Sequence, residues 1–427
     1  MKSTRREFLG LAAGAALAAT TLGAGRAVAA NDRIRFACAG VGGRGWALVK
    51  AAHMSKLADV VAICDVDERI LENRAKELEE MSGQKPKTFT DVRDLIADDA
   101  IDALGVAMPN HWHVLASIWA MQNGKDVYCE KPISHTIFEG RQLVETWKQT
   151  GRVLQHGTQR RSEGPWQRMA ERAKEGVIGD LYMARAWITR RRDAFNYPFG
   201  EEPPAHLHWN LWQGPAPQRD FSRNYVHYNW HWFWDYGNGE IGNNGPHNND
   251  LVNWVFDKGL PVKIASTGGI FGYPEGADVR ETPNTQETQY TFADGAIYTM
   301  EVRNRPTEDA PLITLYGSNG YSKGTTFYDA EGTEIPDEQP KPSFPDSTAT
   351  HMQNFLEAVH AKDPAATATT PEQGHVAAGL SHLANIAYRT GRQLTFDPAT
   401  EQFAGDDEAN ALLTREYREG FEVPTVG

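Results

Sequence analysis

"RIRFACAGVGGRGWALVKAAHMS", residues 33–55, decides the fold: an apolar strand runs into Gly40, Gly42 and Gly45 and then into a helical pattern. Each glycine has its own task. Gly40 makes a tight turn, Gly42 lets backbone amides approach a pyrophosphate, and Gly45 allows the helix to press against the strand. Val41, Gly43 and Arg44 complete the loop. An anion belongs at the helix start, where unpaired N–H groups point outward. A glycine triplet alone also serves close packing, so its context has to decide.

"ADVVAICDVDE", residues 58–68, is a second buried strand ending at Asp65, twenty residues after Gly45. A carboxylate there accepts hydrogen bonds from both ribose hydroxyls of an adenosine, and it would repel a 2'-phosphate, which favours NAD over NADP. Asp67 competes for that role and otherwise reads as a helix N-cap. Further on, the chain predicts a strand near Thr88, a helix, a strand from Leu104 to Ala107, a helix, and a strand from Val127 to Cys129. Strands alternating with helices imply an α/β unit with a mostly parallel, doubly covered sheet, here ending near residue 156. "PNHWH" (109–113) and "EKP" (130–132) fall at carboxyl ends of strands, where open parallel sheets bind ligands. Glu130, Lys131, Asn110 and His113 are therefore candidate cofactor contacts. Lys131 could instead be a solvated lysine, and Asn110 and His113 could merely cap the next helix.

The whole chain of 427 residues has room for two domains and an ordinary globular composition. Residues 1–30 read separately, as an export signal: Arg5-Arg6 precedes Phe8-Leu9, then come a small-residue apolar run and an Ala27-Val28-Ala29 site, with cleavage before Ala30. The arginine pair resembles the twin-arginine type, whose export machinery carries folded proteins. This predicts a periplasmic or otherwise exported protein with no membrane anchor after cleavage. The formal charge is −13, and more negative without that segment, which argues against nucleic acid and anionic membranes as partners. Cys38, Cys64 and Cys129 lie in or beside core-strand patterns and predict no disulfide framework.

From 157 to about 400 the texture predicts a second, α+β domain. "ERAKEGVIGDLYMARAWITRRR" (171–192) turns from helix to strand, and a long stretch rich in Pro, Asn, His and Trp follows, up to residue 246. Later strand-like runs are separated by glycine turns, with Asp294-Gly295 a strong hairpin signal. A mostly antiparallel open sheet is expected, its outer face solvated or joined to another subunit. Segments 348–361 and 371–389 read as helices, and 401–427 as a tail that wraps the body or frays. Arg190 to Arg192 reads as a solvated face.

"GEIGNNGPHNNDLVNW", residues 239–254, carries the chemistry. Oxidising a sugar carbon requires a base for the hydroxyl proton and donors for the developing oxyanion. His247 can supply the first and Lys131 the second, with Asn243 one helical turn from the imidazole. The span 206–236 offers Trp209, Trp212, Trp230, Trp232 and Trp234 as apolar faces for a pyranose, most of them needed for loop packing. Arg160, Arg161, His227 and Asn244 are candidates for its hydroxyls. Several histidines lie close together (206, 208, 227, 231, 247), yet their spacing does not force three onto one metal, and none is expected. Asp235 and Glu240 could form a hydrolytic carboxylate pair, but that would leave the dinucleotide fold idle.

"AGVGGRG", "CDVD", "PNHWH", "EKPISH", "GTQRRS", "WNLWQGPAP" and "WDYGNGEIGNNGPHNND" together resemble the glucose-fructose oxidoreductase, inositol dehydrogenase and rhizopine catabolism protein family (Gfo/Idh/MocA), in particular its secreted bacterial members. The resemblance implies a Rossmann domain binding NAD(P), followed by a substrate domain whose open sheet makes homodimers or homotetramers. It also implies that Lys131 and His247 are active-site residues and that Asp250 matches a further aspartate. Where the family has an aspartate four positions before the histidine, this chain has Asn243, which should lower the basicity of His247 unless Asp250, Asp235 or Glu240 substitutes. Some exported relatives resemble glycoside hydrolases that hold NAD tightly and return the hydride each cycle. The sequence thus predicts an exported NAD-dependent sugar oxidoreductase, with an NAD-requiring glycosidase and a non-catalytic carbohydrate-binding protein as alternatives.

Overall fold

A computed structural model describes residues 32–337 and 346–426; the expected export segment lies outside them. The first sheet has six strands: β1 Ile34–Ala39, β2 Ala58–Cys64, β3 Lys87–Phe89, β4 Ala103–Val106, β5 Asp126–Glu130 and β6 Leu154–Gly157. They are ordered β3-β2-β1-β4-β5-β6 with every pairing parallel. Apolar residues fill both faces, as a sheet sandwiched between helices requires. Strand order reverses between β1 and β4, so the loops leaving their carboxyl ends diverge and open a crevice.

At that crevice the glycine turn has the predicted geometry. Gly40 takes φ +83°, a left-handed conformation, and a Cβ added to Gly45 would stand 2.0 Å from the Gly40 carbonyl oxygen. The helix Arg44–Ser55 can start only because that atom is missing.

The second sheet contains β7 Leu181–Thr189, β8 Lys263–Gly269, β9 Thr285–Thr291, β10 Ile297–Arg303, β11 Ile313–Gly317, β12 Gly320–Lys323, β13 Thr326–Asp329, β14 Leu394–Asp397 and β15 Gln402–Phe403. Its order is β13-β12-β11-β7-β10-β9-β8-β14-β15. Only β7 and β10 pair in parallel among the described residues. Alternation along β10 buries Tyr298, Met300 and Val302 beneath the helices Gly245–Phe256 and Pro371–Thr390 and turns the intervening residues outward. The expected hairpin is present, with Gly295 at φ +88°.

The helix Ser347–Ala361 leaves this sheet and packs Met352, Phe355 and Leu356 against Phe36, Leu48 and Tyr128 of the first unit. The tail wraps rather than frays: Phe421 and Val423 are buried beside Trp112, and Arg415 reaches the buried carboxylate of Glu139 at 2.8 Å. The three cysteines are free and buried.

Candidate active site

The carboxyl ends of β1, β2, β4 and β5 border one cleft of about 610 Å³. Its first end is made of backbone. Val41 donates its N–H to Asp65 Oδ2 at 2.9 Å and Asp67 donates its own to Oδ1 at 3.1 Å, which ties the glycine loop to the end of β2. Burial pushes the Asp65 carboxyl up, and these two amides oppose it. A carboxylate has about four lone-pair sites, so acceptor capacity remains for a diol. A Cβ on Gly43 would meet nothing within 4 Å, and one on Gly42 would touch only Ile70 and, at 3.9 Å, Asp65, so the loop faces open space. Donor set and room together fit a dinucleotide. Asp67 takes the other role weighed for it: it is the N-cap of the helix Glu68–Ser82, accepting from Arg69 and Ile70.

Two expected cofactor contacts are otherwise engaged. The His113 ring is held between the carbonyl oxygens of Pro132 (2.6 Å) and Met108 (2.7 Å), so neither nitrogen is left for a ligand. It pins the ends of β4 and β5 together. Glu130 borders the cleft, but its oxygens accept from Arg44 Nε, Gln159 and the Lys131 amide. Burial would raise its pKa; Arg44 and Lys131 hold it below the usual range. Asn110 lines the cleft and donates to Asn238 at 3.1 Å, while Pro109 occupies the cap position.

The other end is made of side chains. Lys131 Nζ donates to the Asn243 carbonyl (2.9 Å) and to its Oδ1 (3.0 Å). An ammonium only donates, so the amide oxygen must face it, and Asn243 Nδ2 turns toward the Tyr228 hydroxyl at 3.5 Å. Asn243 therefore keeps the hydrogen bond that a carboxylate would make and omits its charge. Burial pushes the Lys131 ammonium down, against Glu130 and Glu240.

His247 makes no side-chain hydrogen bond among the described residues, and its Nδ1 is buried without a partner. Burial, then Lys131, Arg160 and Arg44, hold its pKa well below the ordinary histidine value. None of the three carboxylates considered for it is available. Asp250 is fully buried and bound through both oxygens to Arg161, each at 2.8 Å; Asp235 is paired with Arg219, and Glu240 with Arg192 and Asn244. This corrects the expected roles of Asp250 beside the base and Arg161 at the substrate. A buried ion pair is satisfied internally, and freeing either member would strand the other. The same pairings remove Asp235 and Glu240 as a hydrolytic couple.

Trp209 is corrected too. It stacks on Trp212 at 4.7 Å and on Tyr225 at 5.9 Å inside the loop core, and its indole N–H goes to the Arg219 carbonyl. Trp234 is covered by Arg389 and lies away from the cleft wall. Of the tryptophans considered for the sugar, Trp212 and Trp230 line it, with His227 and Asn244; Trp112 lines it as well. His227 Nε2 stands 3.1 Å from Asp67, and Arg160 has no hydrogen-bond partner among the described residues for its guanidinium.

Among the lining residues, Tyr228, His231 and Arg190 were not read from the sequence as part of the site. His231 is stacked on Trp230 at 3.6 Å, and its Nδ1 lies 2.6 Å from the Tyr228 carbonyl. A carbonyl only accepts, so Nδ1 carries the proton and Nε2 keeps its lone pair. Burial and Lys131 hold this ring neutral as well. Arg190 and Arg192 were expected on a solvated face, yet Arg190 borders the cleft and Arg192 lies against Glu240 and the rings of Tyr228 and Trp232. Their only local signal, an arginine run after a strand, is the same as that of a surface patch.

Fold and cleft define a two-domain, dinucleotide-dependent enzyme. Residues 34–158 match the oxidoreductase family's NAD-binding Rossmann fold, and residues 196–423 match its C-terminal α/β domain. The chain belongs to the Gfo/Idh/MocA oxidoreductase family, and its cofactor is NAD. It is 22% identical over 334 residues to the rhizopine catabolism protein MocA of Rhizobium meliloti, covering 78% of this chain and 88% of that one. Inositol 2-dehydrogenase of Rubrobacter xylanophilus is 31% identical over 159 residues, 37% of this chain and 44% of that one. A glycosyl hydrolase family 109 protein of Shewanella baltica is 27% identical over 162 residues, 36% and 35% of the two chains. The chain thus spans less than half the length of these last two relatives. Among solved structures, WlbA dehydrogenase of Bordetella pertussis, in complex with NADH and UDP-GlcNAcA, has a TM-score of 0.63 at 20% identity, covering 86% of this chain and 99% of that one. At that identity the likeness speaks to fold alone.

Proposed function

We propose that this protein is an exported oxidoreductase that oxidises a hydroxyl-bearing carbon of a sugar or sugar derivative to the carbonyl by hydride transfer to NAD, or reduces that carbonyl in reverse, with its NAD tightly held. The observation that carries this reading is the bonding of Lys131 to Asn243 in a cleft also lined by Tyr228 and His231, with His247 close enough for the ammonium to lower its pKa. NAD, held by the 40–45 loop and Asp65, supplies the hydride acceptor. Lys131 donates to the substrate oxygen, stabilising the alkoxide that develops. His247, uncharged and with no protein partner among the described residues, accepts the hydroxyl proton. Trp212 and Trp230 exclude water and offer apolar faces to the ring. Copies pair through the outer face of the nine-stranded sheet, and export with NAD already bound suits a compartment where the cofactor cannot be replenished.

The test is direct. Protein purified from its exported form is denatured and the supernatant assayed for dinucleotide; the intact protein is then offered free sugars. Bound NAD and sugar-dependent NADH absorbance are expected, with turnover lost in His247→Gln and dinucleotide retained. Undiminished turnover in that variant would transfer the base to His231.

A second reading is an NAD-requiring glycosidase, which needs one base for the hydroxyl and another for the carbon-bound proton removed in elimination. Two neutral histidines beside one ammonium, together with the partial likeness to the family 109 hydrolase, favour it. Release of the aglycone from aryl glycosides without net NADH would select it.

A further inference from the structure

Charge is unevenly distributed along the cleft. At the cofactor end Asp65 and Asp91 face Arg44, which is itself paired with Glu130. Around Lys131 the cleft is also lined by Trp212, Tyr228, Trp230, His231, Asn243 and Asn244, and by a second cation, Arg190, while the adjoining anion Glu130 is held by Arg44 and Gln159. Lys131 donates only to uncharged oxygens of Asn243. Of the carboxylates near Lys131, Glu130 is taken by Arg44, Gln159 and the Lys131 amide, and Glu240 by Arg192, Asn244 and Asn304. Arg190 is exposed and its guanidinium has no carboxylate or hydrogen-bond partner among the described residues. Behind them Arg160, mostly buried, also lacks a carboxylate in hydrogen-bond reach, and it acts with Lys131 on His247. Everywhere else in this region the buried or half-buried arginines are paired: Arg161 with Asp250, Arg192 with Glu240, Arg219 with Asp235 and Glu281.

An exposed guanidinium that lines a binding cleft and meets no protein carboxylate keeps its donors available for an anion that arrives with the ligand. We infer that the substrate is an acidic sugar whose carboxylate is bound by Arg190, with Lys131 and Arg160 supplying the surrounding positive potential. A planar guanidinium suits a carboxylate because it can donate two parallel hydrogen bonds. The neutral Asn243 belongs to the same design: an aspartate there would repel the ligand's charge. This inference rests on the oxidoreductase reading and refines its substrate class.

Calorimetric titration of the full, NAD-loaded protein with glucose and glucuronate, and with galactose and galacturonate, tests it. Glucose 6-sulfate and glucose 6-phosphate test whether another anionic group serves. The acid of at least one pair is expected to bind about tenfold or more tightly than its neutral partner, and that preference should weaken as salt rises. Arg190→Gln should reduce the preference of acid over neutral sugar to about twofold, whereas Arg190→Lys should keep part of it. Tighter binding of only the sulfate or phosphate would replace the carboxylate by that group. Equal affinity for acid and neutral sugar, binding of no acid, or a preference that survives Arg190→Gln would overturn the inference while leaving bound NAD and the oxidoreductase reading intact. A protein that binds no dinucleotide would overturn both.

Discussion

One end of the cleft is lined by the backbone of residues 40–45 and one carboxylate twenty residues on; the other, where the proposed function puts the substrate, is lined by side chains of Lys131, Arg190, Tyr228, His231 and Asn243, drawn from separate segments. The first is a short piece of chain whose conformation is dictated by where a Cβ can and cannot be. The second is an assembly, and each member depends on what holds the others. Damage at the first should therefore appear as lost structure and lost cofactor together, and damage at the second as lost chemistry on an intact protein.

The largest expected effect lies at the second end. Lys131→Met should lower kcat by about 10²–10⁴ while bound NAD and the urea midpoint change little, because the ammonium acts on the substrate oxygen. Parallel loss of NAD would place Lys131 in the cofactor site and blur the division. At the first end, Gly45→Ala forces a Cβ against the Gly40 carbonyl and within 3.2 Å of Ala107, which should cost about 3 kcal/mol in urea unfolding and release the dinucleotide. Full stability in that variant would mean the turn is less constrained than its geometry implies.

Acid should affect both ends. His111, His113, His135, His156, His231, His247, His351 and His382 are buried with pKa values pushed below the ordinary one, chiefly by desolvation. The unfolded chain takes up protons first as pH falls through about 6.5, so stability is present above that value and lost below it. Urea midpoints at neutral pH and near pH 5 measure this, and equal midpoints would mean that these rings are already charged in the folded state. The smallest effect is Asn243→Asp. It should raise turnover of neutral sugars by about threefold by making His247 a stronger base, and raise KM for an acidic one. An unchanged rate on both would limit Asn243 to holding Lys131.

How much was legible follows the same division. The glycine loop, Asp65, the alternating units and the Asp294-Gly295 hairpin were readable because each depends on contacts within a few residues or on a repeat of known period. Asp250, Arg161 and Trp209 were misassigned because a carboxylate, a guanidinium or an indole has the same sequence signature in a cleft as in a buried pair or an aromatic core. His113 lines the cleft, but its ring is engaged by backbone carbonyls, which no sequence pattern displays.

By itself the sequence determined the dinucleotide fold, the mostly antiparallel second sheet and the place of Lys131 at the carboxyl end of a parallel strand, since steric limits on glycine and the periods of helix and strand are local properties of the chain. Only the tertiary structure decided which charges cancel. Asp250 met Arg161 and Glu240 met Arg192, while Arg190 was left lining the cleft with no carboxylate partner among the described residues. Charge pairing depends on distance in space and on exclusion of water, and both arise only when residues far apart in sequence are packed together.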